Sequence, residues 1–187
     1  MPAYVVRCTM ILIALGSNLP GPWGSPRDTV VRALEVLEAN RLTVERRSSG
    51  YRTAAYGDQG QPDYVNAVAQ ISSSLPPAAL LMRLHRIERS AARSRGERWG
   101  ARTLDLDLLD WNGRVSGIGG ERGRPGDLGY KPITLPHPGI LKRPFVAIPL
   151  AEIAPRWHHP VTGETAATIA RRTARLAAGA VLETIEL

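Results

Sequence analysis

Apolar and polar positions along the chain follow two periods, and those periods divide it into elements. Met10 to Leu15 is a short apolar run closed by Gly16-Ser17-Asn18, which predicts a buried strand entering a turn. A Gly/Pro-rich loop, Pro20 to Gly24, follows. Ser25 stands one residue before Pro26 and three before Asp28, a capping arrangement with proline in the first turn. The helix it opens carries Val30, Leu34 and Leu37 on one face and ends near Asn40. Leu42 to Ala54 and Tyr64 to Ser72 are rich in β-branched and alternating apolar residues and predict two strands, separated by the turn-rich stretch Gly57 to Pro62. Pro77 opens a second helix with Leu80, Leu84 and Ile87 in line, running out into the arginine-rich segment Arg89 to Arg98. Arg102 to Trp111 predicts another strand. Pro144 to Ile153 and Thr165 to Ala178 predict helices, the second with Ile169 and Leu176 facing inward.

The order β-α-β-β-α-β is not the strict βαβ alternation of a doubly wound sheet. It predicts a single α+β domain over residues 1–187, with a ferredoxin-like core and additional C-terminal helices. Between Gly113 and Gly129 lie seven glycines and few apolar residues. This marks a glycine-rich insertion over about 114–131, expected to be a surface loop. No internal repeat appears.

Composition narrows the function classes. With 43% apolar and 22% charged residues the chain is that of a folded, soluble protein. A formal charge of +7 and a pI near 10.3 imply a surface that attracts polyanions: nucleic acid, anionic lipid or a polyphosphate ligand. Only Lys131 and Lys142 are lysines, and arginine's planar fork suits bidentate phosphate contacts. Cys8 is the single cysteine, which excludes an intrachain disulfide and a cysteine-based zinc site. The apolar run Thr9 to Leu15 is too short to span a bilayer and is followed by no small-residue cleavage site, so a cytoplasmic protein with no membrane partner is expected.

The sharpest chemical signal is Arg102-Thr103-Leu104-Asp105-Leu106-Asp107-Leu108. Residues two apart in a strand project to one face, so Asp105 and Asp107 stand side by side, roughly 7 Å apart at the backbone, with the leucines facing the core. Adjacent carboxylates repel, and oxygen ligands favour Mg2+, particularly when substrate phosphates complete its octahedron. A bare D-x-D is more often the polar face of a half-exposed strand. Here Arg93, Arg95, Arg98 and Arg102 stand immediately upstream, with Trp99 offering a flat surface among them. An arginine run alone is more often a solvated loop or a nucleic-acid contact. An RNA-binding sheet of this topology needs stacked aromatics, however, and Phe145 is the single phenylalanine, which argues against a nucleic-acid partner. No P-loop and no strand-linked G-x-G-x-x-G is present, which leaves phosphate binding to arginines and metal.

In these segments the chain resembles the 6-hydroxymethyl-7,8-dihydropterin pyrophosphokinase family. The similar blocks are Ala14-Leu15-Gly16-Ser17-Asn18, Tyr51-Arg52-Thr53 followed by Gln61 to Ala67, Arg98-Trp99-Gly100-Ala101-Arg102-Thr103-Leu104-Asp105-Leu106-Asp107, and Leu135-Pro136-His137, in the family's order from Leu12 to about Pro155. The resemblance implies transfer of the terminal diphosphate of ATP to the hydroxymethyl group of the pterin, with release of AMP, in folate synthesis. It further implies two Mg2+ ions on Asp105 and Asp107, with Arg93, Arg95 and Arg102 completing the catalytic set. Nucleotide contacts are implied at Glu88, Arg95, Trp99, Arg102, Leu108, His137 and Arg143. Pterin contacts are implied at Thr53, Tyr56, Tyr64, Asn66, Trp99 and Phe145, in a monomer whose partners are ATP and the pterin. Ala54-Ala55-Tyr56 depart from a more usual proline-containing stretch, and His85 stands where the family often has glutamine. The rival readings are a basic RNA-binding module and a catalytically idle relative. Residues Ala166 to Leu187 suggest no function.

Overall fold

A computed structural model describes residues 10–56, 60–93, 101–117 and 133–187. The elements run β1 (Ile11–Ser17), α1 (Pro26–Ala39), β2 (Thr43–Arg47), β3 (Gly50–Thr53), β4 (Tyr64–Ser72), α2 (Pro77–Ser90), β5 (Asp105–Trp111), a 3-10 turn (Pro138–Leu141), α3 (Pro144–Ile153), α4 (Ala166–Thr173) and β6 (Val181–Ile185). The strands form one antiparallel sheet in the order β5-β1-β4-β3-β6, with β2 also paired to β4.

Alternation along the central strands separates two apolar layers. Ile11, Ile13 and Leu15 of β1 face α1 and α2, together with Leu104, Leu106 and Leu108. Leu12, Val68 and Leu109 face α3 and α4 instead. Each large side chain buried this way stabilises the fold by about 1.5–3 kcal/mol. Helix α1 begins where the sequence places it: the Ser25 hydroxyl accepts from Asp28 N and the Asp28 carboxylate accepts from Ser25 N.

Several elements differ from the sequence expectation. The strand predicted over Leu42 to Ala54 is two strands, because Ser48 interrupts it: its hydroxyl accepts from Val68 N and donates to Ser49 O, so the chain pivots there. The strand predicted from Arg102 begins at Asp105, since Arg102 O accepts from Asn18 N and Leu19 N and so belongs to the turn after β1. The last helix stops at Thr173, and Leu176, expected inside, is 43% exposed. The chain turns at Gly179 into β6, which the apolar pattern did not announce. Of the glycine-rich insertion, residues 118–131 lie outside the described residues. Among the described residues no helix is long and apolar enough to cross a membrane.

A register shift between Leu12 and Ile13 leaves Leu109 as an extra residue in β5. The bulge serves the site, because Leu109 O accepts from His137 N at 2.8 Å and so fixes the loop that carries His137. Beyond it Asp110 is buried at 1% exposure; one carboxylate oxygen accepts from Gly113 N and Trp157 Nε1, while the other makes no hydrogen bond among the described residues. Burial pushes its pKa up, only partly opposed by those N–H donors and by His159.

A raised folded pKa means that the folded state keeps this proton where the unfolded chain has released it, so the contribution of Asp110 falls as pH rises above the ordinary value of 3.8. Asp110→Asn is therefore expected to gain stability relative to the parent as pH rises through the carboxylate range. Urea unfolding at a series of pH values checks this, and parallel curves for the two proteins would refute it.

Candidate active site

The sheet register assembles a cavity of about 230 Å³ at the end of the sheet away from Asp110, beside the N-terminus of α3. Gly16 of β1 lies between Asn66 on β4 and Asp105 on β5, and Ala14 lies between Val68 and Asp107. Thr53 pairs with Tyr64 across β3 and β4. A strand period of two thus brings Asn66, Asp105 and Asp107 to the same face. The sequence reading had no role for Gly16, yet a methyl group there would lie 2.8 Å from Asn66 Oδ1. In the sequence it is no more than a glycine closing an apolar strand; the need for it comes from Asn66, which the register sets opposite. Asn66 Nδ2 donates to Thr53 Oγ1 at 2.8 Å, which fixes the orientation of the amide.

The two aspartates meet different partners. Asp105 is bracketed by Arg93 at 2.8 Å and Arg102 at 2.7 Å. Among the described residues, the cations nearest Asp107 lie further off, His137 Nε2 at 3.9 Å and an Arg143 nitrogen at 4.0 Å. It keeps 38% of its side-chain surface open to the cavity, yet the concave walls and the neighbouring Asp105 charge hold its carboxyl above the usual range, against His137, Arg143 and Arg102. His137 Nδ1 accepts from Gly139 N at 3.0 Å, so the neutral ring carries its proton on Nε2, on the Asp107 side. Burial lowers the His137 pKa, with the Asp107 charge opposing it.

Behind the cavity, Glu88 of α2 is 3% exposed, accepts from Leu106 N at 2.8 Å and pairs with Arg93. Burial raises its pKa to about 7, the Leu106 N–H and the Arg93 charge notwithstanding. Glu88 thereby ties α2, the residue between the two aspartates and the arginine on Asp105 into one unit.

The opposite wall is aromatic. Tyr56 and Phe145 meet edge to face with ring centres 5.8 Å apart, and the Arg143 guanidinium lies 5.6 Å from one ring centre and 5.7 Å from the other.

Of the residues singled out from sequence, Thr53, Tyr56, Tyr64, Asn66, Arg102, Asp105, Asp107, His137, Arg143 and Phe145 line this one cavity. Arg93 reaches Asp105 from the side of α2, where Glu88, Met82, His85, Arg86 and Arg89 line a second cavity of about 410 Å³ with it. The Leu108 side chain lines neither: it is 4% exposed and packs in the α1/α2 layer. Arg95 and Trp99 lie outside the described residues.

Carboxylates, arginines and aromatic rings converging on one cavity of an antiparallel sheet define the class: an α+β protein with a pocket suited to a flat ligand beside phosphate. The chain belongs to the 7,8-dihydro-6-hydroxymethylpterin-pyrophosphokinase family, whose pattern matches residues 12–155. Similar proteins include the 2-amino-4-hydroxy-6-hydroxymethyldihydropteridine pyrophosphokinase of Synechocystis, 39% identical over 160 residues that make up 85% of this chain and 73% of that one. The Haemophilus influenzae protein of the same name is 42% identical over 142 residues, 76% of this chain and 79% of that one. The fold is shared with Plasmodium falciparum HPPK-DHPS, at a TM-score of 0.63 and 13% identity, over 88% of this chain and 43% of that longer protein. This chain therefore spans less than half of the Plasmodium protein's length.

Glu88→Ala removes the acceptor for a buried backbone N–H and is expected to lower stability by about 1–3 kcal/mol. The urea midpoint should fall with the slope unchanged; an unshifted midpoint would mean that Glu88 does not brace the site.

Proposed function

We propose that the cavity is where the terminal diphosphate of ATP passes to the hydroxymethyl group of 6-hydroxymethyl-7,8-dihydropterin, with AMP leaving. As a family member the chain is a pyrophosphokinase of folate biosynthesis. The observation that carries the site assignment is the placing of the aspartate pair between two sets of cations, Arg93 and Arg102 on one side and His137 and Arg143 on the other. Across from it stand Asn66, Thr53 and the aromatic wall.

The donor set fits Mg2+. Asp105 and Asp107 are hard oxygen ligands on one strand face, and Asp107 keeps 38% of its side-chain surface open to the cavity. Among the described residues no group of three protein ligands is assembled, which suits ions whose remaining ligands are water and substrate phosphate. Two bound ions would neutralise charge on the transferring diphosphate. The protein's own contribution is positioning and charge stabilisation, the larger part of phosphoryl-transfer catalysis. Arg93 and Arg102 release from Asp105 toward phosphate oxygens. The His137 Nε2–H and the Arg143 guanidinium donate to the nucleotide from the far side of Asp107. Glu88, Arg95 and Trp99 complete the nucleotide contacts, whereas Leu108, its side chain packed in the α1/α2 layer, does not. Asn66 and Thr53 hydrogen-bond the pterin edge, and Tyr64, Tyr56, Trp99 and Phe145 hold its faces.

We also read the core as ferredoxin-like, supported by the order β5-β1-β4-β3 with α1 and α2 on one face, and the protein as a cytoplasmic monomer acting on small molecules rather than nucleic acid. The direct test incubates the protein with ATP and Mg2+ and follows AMP. AMP should form only when the pterin is present, and Asp105→Asn and Asp107→Asn should each lower kcat/KM for the pterin by about 10²-fold or more with the fold intact by circular dichroism. ADP in place of AMP, or near-normal turnover in either variant, would overturn the assignment.

A further inference from the structure

The C-terminal segment lies beyond residues 12–155, which the family pattern covers, yet it packs against the aromatic wall of the cavity. Gly179, at the turn into β6, is buried and has φ +69. A methyl group on it would lie 2.6 Å from Phe145 Cδ1, 2.9 Å from Phe145 Cε1 and 3.2 Å from Tyr56 Cδ2. The backbone at this one residue therefore touches both rings, and only glycine lets it come so close.

The turn is held in place from both directions. Ala180 O accepts from Ala54 N at 3.0 Å, at the point where β3 gives way to the stretch carrying Tyr56. Strand β6 runs antiparallel along Gly50–Thr53. Arg52 joins Glu183 on it at 3.0 Å to Asp63 at 2.9 Å, before Tyr64. At the far end Gly50 fits against Ile185 and Leu187, Arg27 Nε donates to Glu186 O, and an Arg47 nitrogen donates to Leu187 O. With both ends pinned, β6 cannot slide, and Gly179 is a fixed surface against which Phe145 and Tyr56 rest.

We infer that Gly179 is a positioning residue for the pterin: it sets the placement of Phe145 and Tyr56, and the C-terminal strand is thereby part of the substrate site. The inference rests on the reading of the cavity as the pterin site. It acts first on the pterin, because the rings it touches lie on the wall opposite the arginine-bracketed Asp105; any effect on the nucleotide passes through Arg143, which rests on both rings. A ring displaced by about 1 Å loses its fit to a flat ligand, while Arg93 and Arg102 keep their contacts with Asp105.

The experiment measures KM for pterin, KM for ATP and kcat in Gly179→Ala. Pterin KM should rise roughly tenfold, at least about threefold more than ATP KM, while kcat stays within about twofold. Gly163→Ala is the matched variant: that glycine has φ +73 and nothing within 4 Å of an added methyl, so it carries the same backbone strain without the rings. Its pterin KM should not change. In a Phe145→Leu background, Gly179→Ala should add less than about twofold, the non-additivity of residues that act through one contact. A measurement on the unaltered protein stands even if Gly179→Ala fails to fold: pterin should slow hydrogen exchange at the Ala54 amide, which donates to Ala180 O. An unchanged pterin KM in folded Gly179→Ala, an equal rise in Gly163→Ala, full additivity with Phe145→Leu, or Ala54 exchange indifferent to pterin would each overturn the inference. The parent protein separates the two levels: no pterin-dependent AMP from it removes the site assignment beneath, whereas normal turnover with any of these negative results removes the role of Gly179 alone.

Discussion

Everything in the pocket depends on holding two like charges together. Asp105 and Asp107 share one face of β5, and a folded chain tolerates that pair only if something offsets the repulsion. Arg93 and Arg102 do so at Asp105, at direct ion-pair distance. Among the described residues Asp107 has no cation so close, and its carboxyl is held above the usual range first by burial and then by the Asp105 charge. Positive charge entering near Asp107 would add to the partial relief that His137, Arg143 and Arg102 already give it.

The offset at Asp105 is itself braced from the opposite face of the sheet. Glu88 holds Arg93 and accepts the N–H of Leu106, the residue between the two carboxylates. The bulge at Leu109 plays the same part for the other cation group, since its carbonyl fixes the backbone of His137. Core packing, strand register and site electrostatics are therefore not separable: a one-residue slip of β5 would exchange Leu106 for the aspartates at the cavity.

Much of this was legible in the sequence where one local rule decided the outcome. The capping pair Ser25 and Asp28 set the start of α1, and the Leu/Asp alternation in β5 assigned each residue to its face correctly. What escaped were features set by contacts distant in sequence. The break at Ser48 depends on Val68, and the late start of β5 depends on Asn18. Strand β6 is short and its middle is exposed, so its period carries almost no apolar signal; it exists because β3 offers it an edge. The residues that line the cavity were singled out mainly as a set in sequence order, whereas the part played by Gly16 shows only in three dimensions, through the side chain of Asn66 opposite it.

Gly16 has a consequence for inhibition. The floor of the cavity at this point is backbone, and any side chain added there would collide with the amide that faces it. An inhibitor that draws its affinity from contact with that stretch of main chain rests on a surface the organism cannot reshape by simple substitution without displacing Asn66 as well. Resistance would have to arise instead at side chains that themselves hold the substrates, such as Tyr56 and Arg143, at a cost in activity.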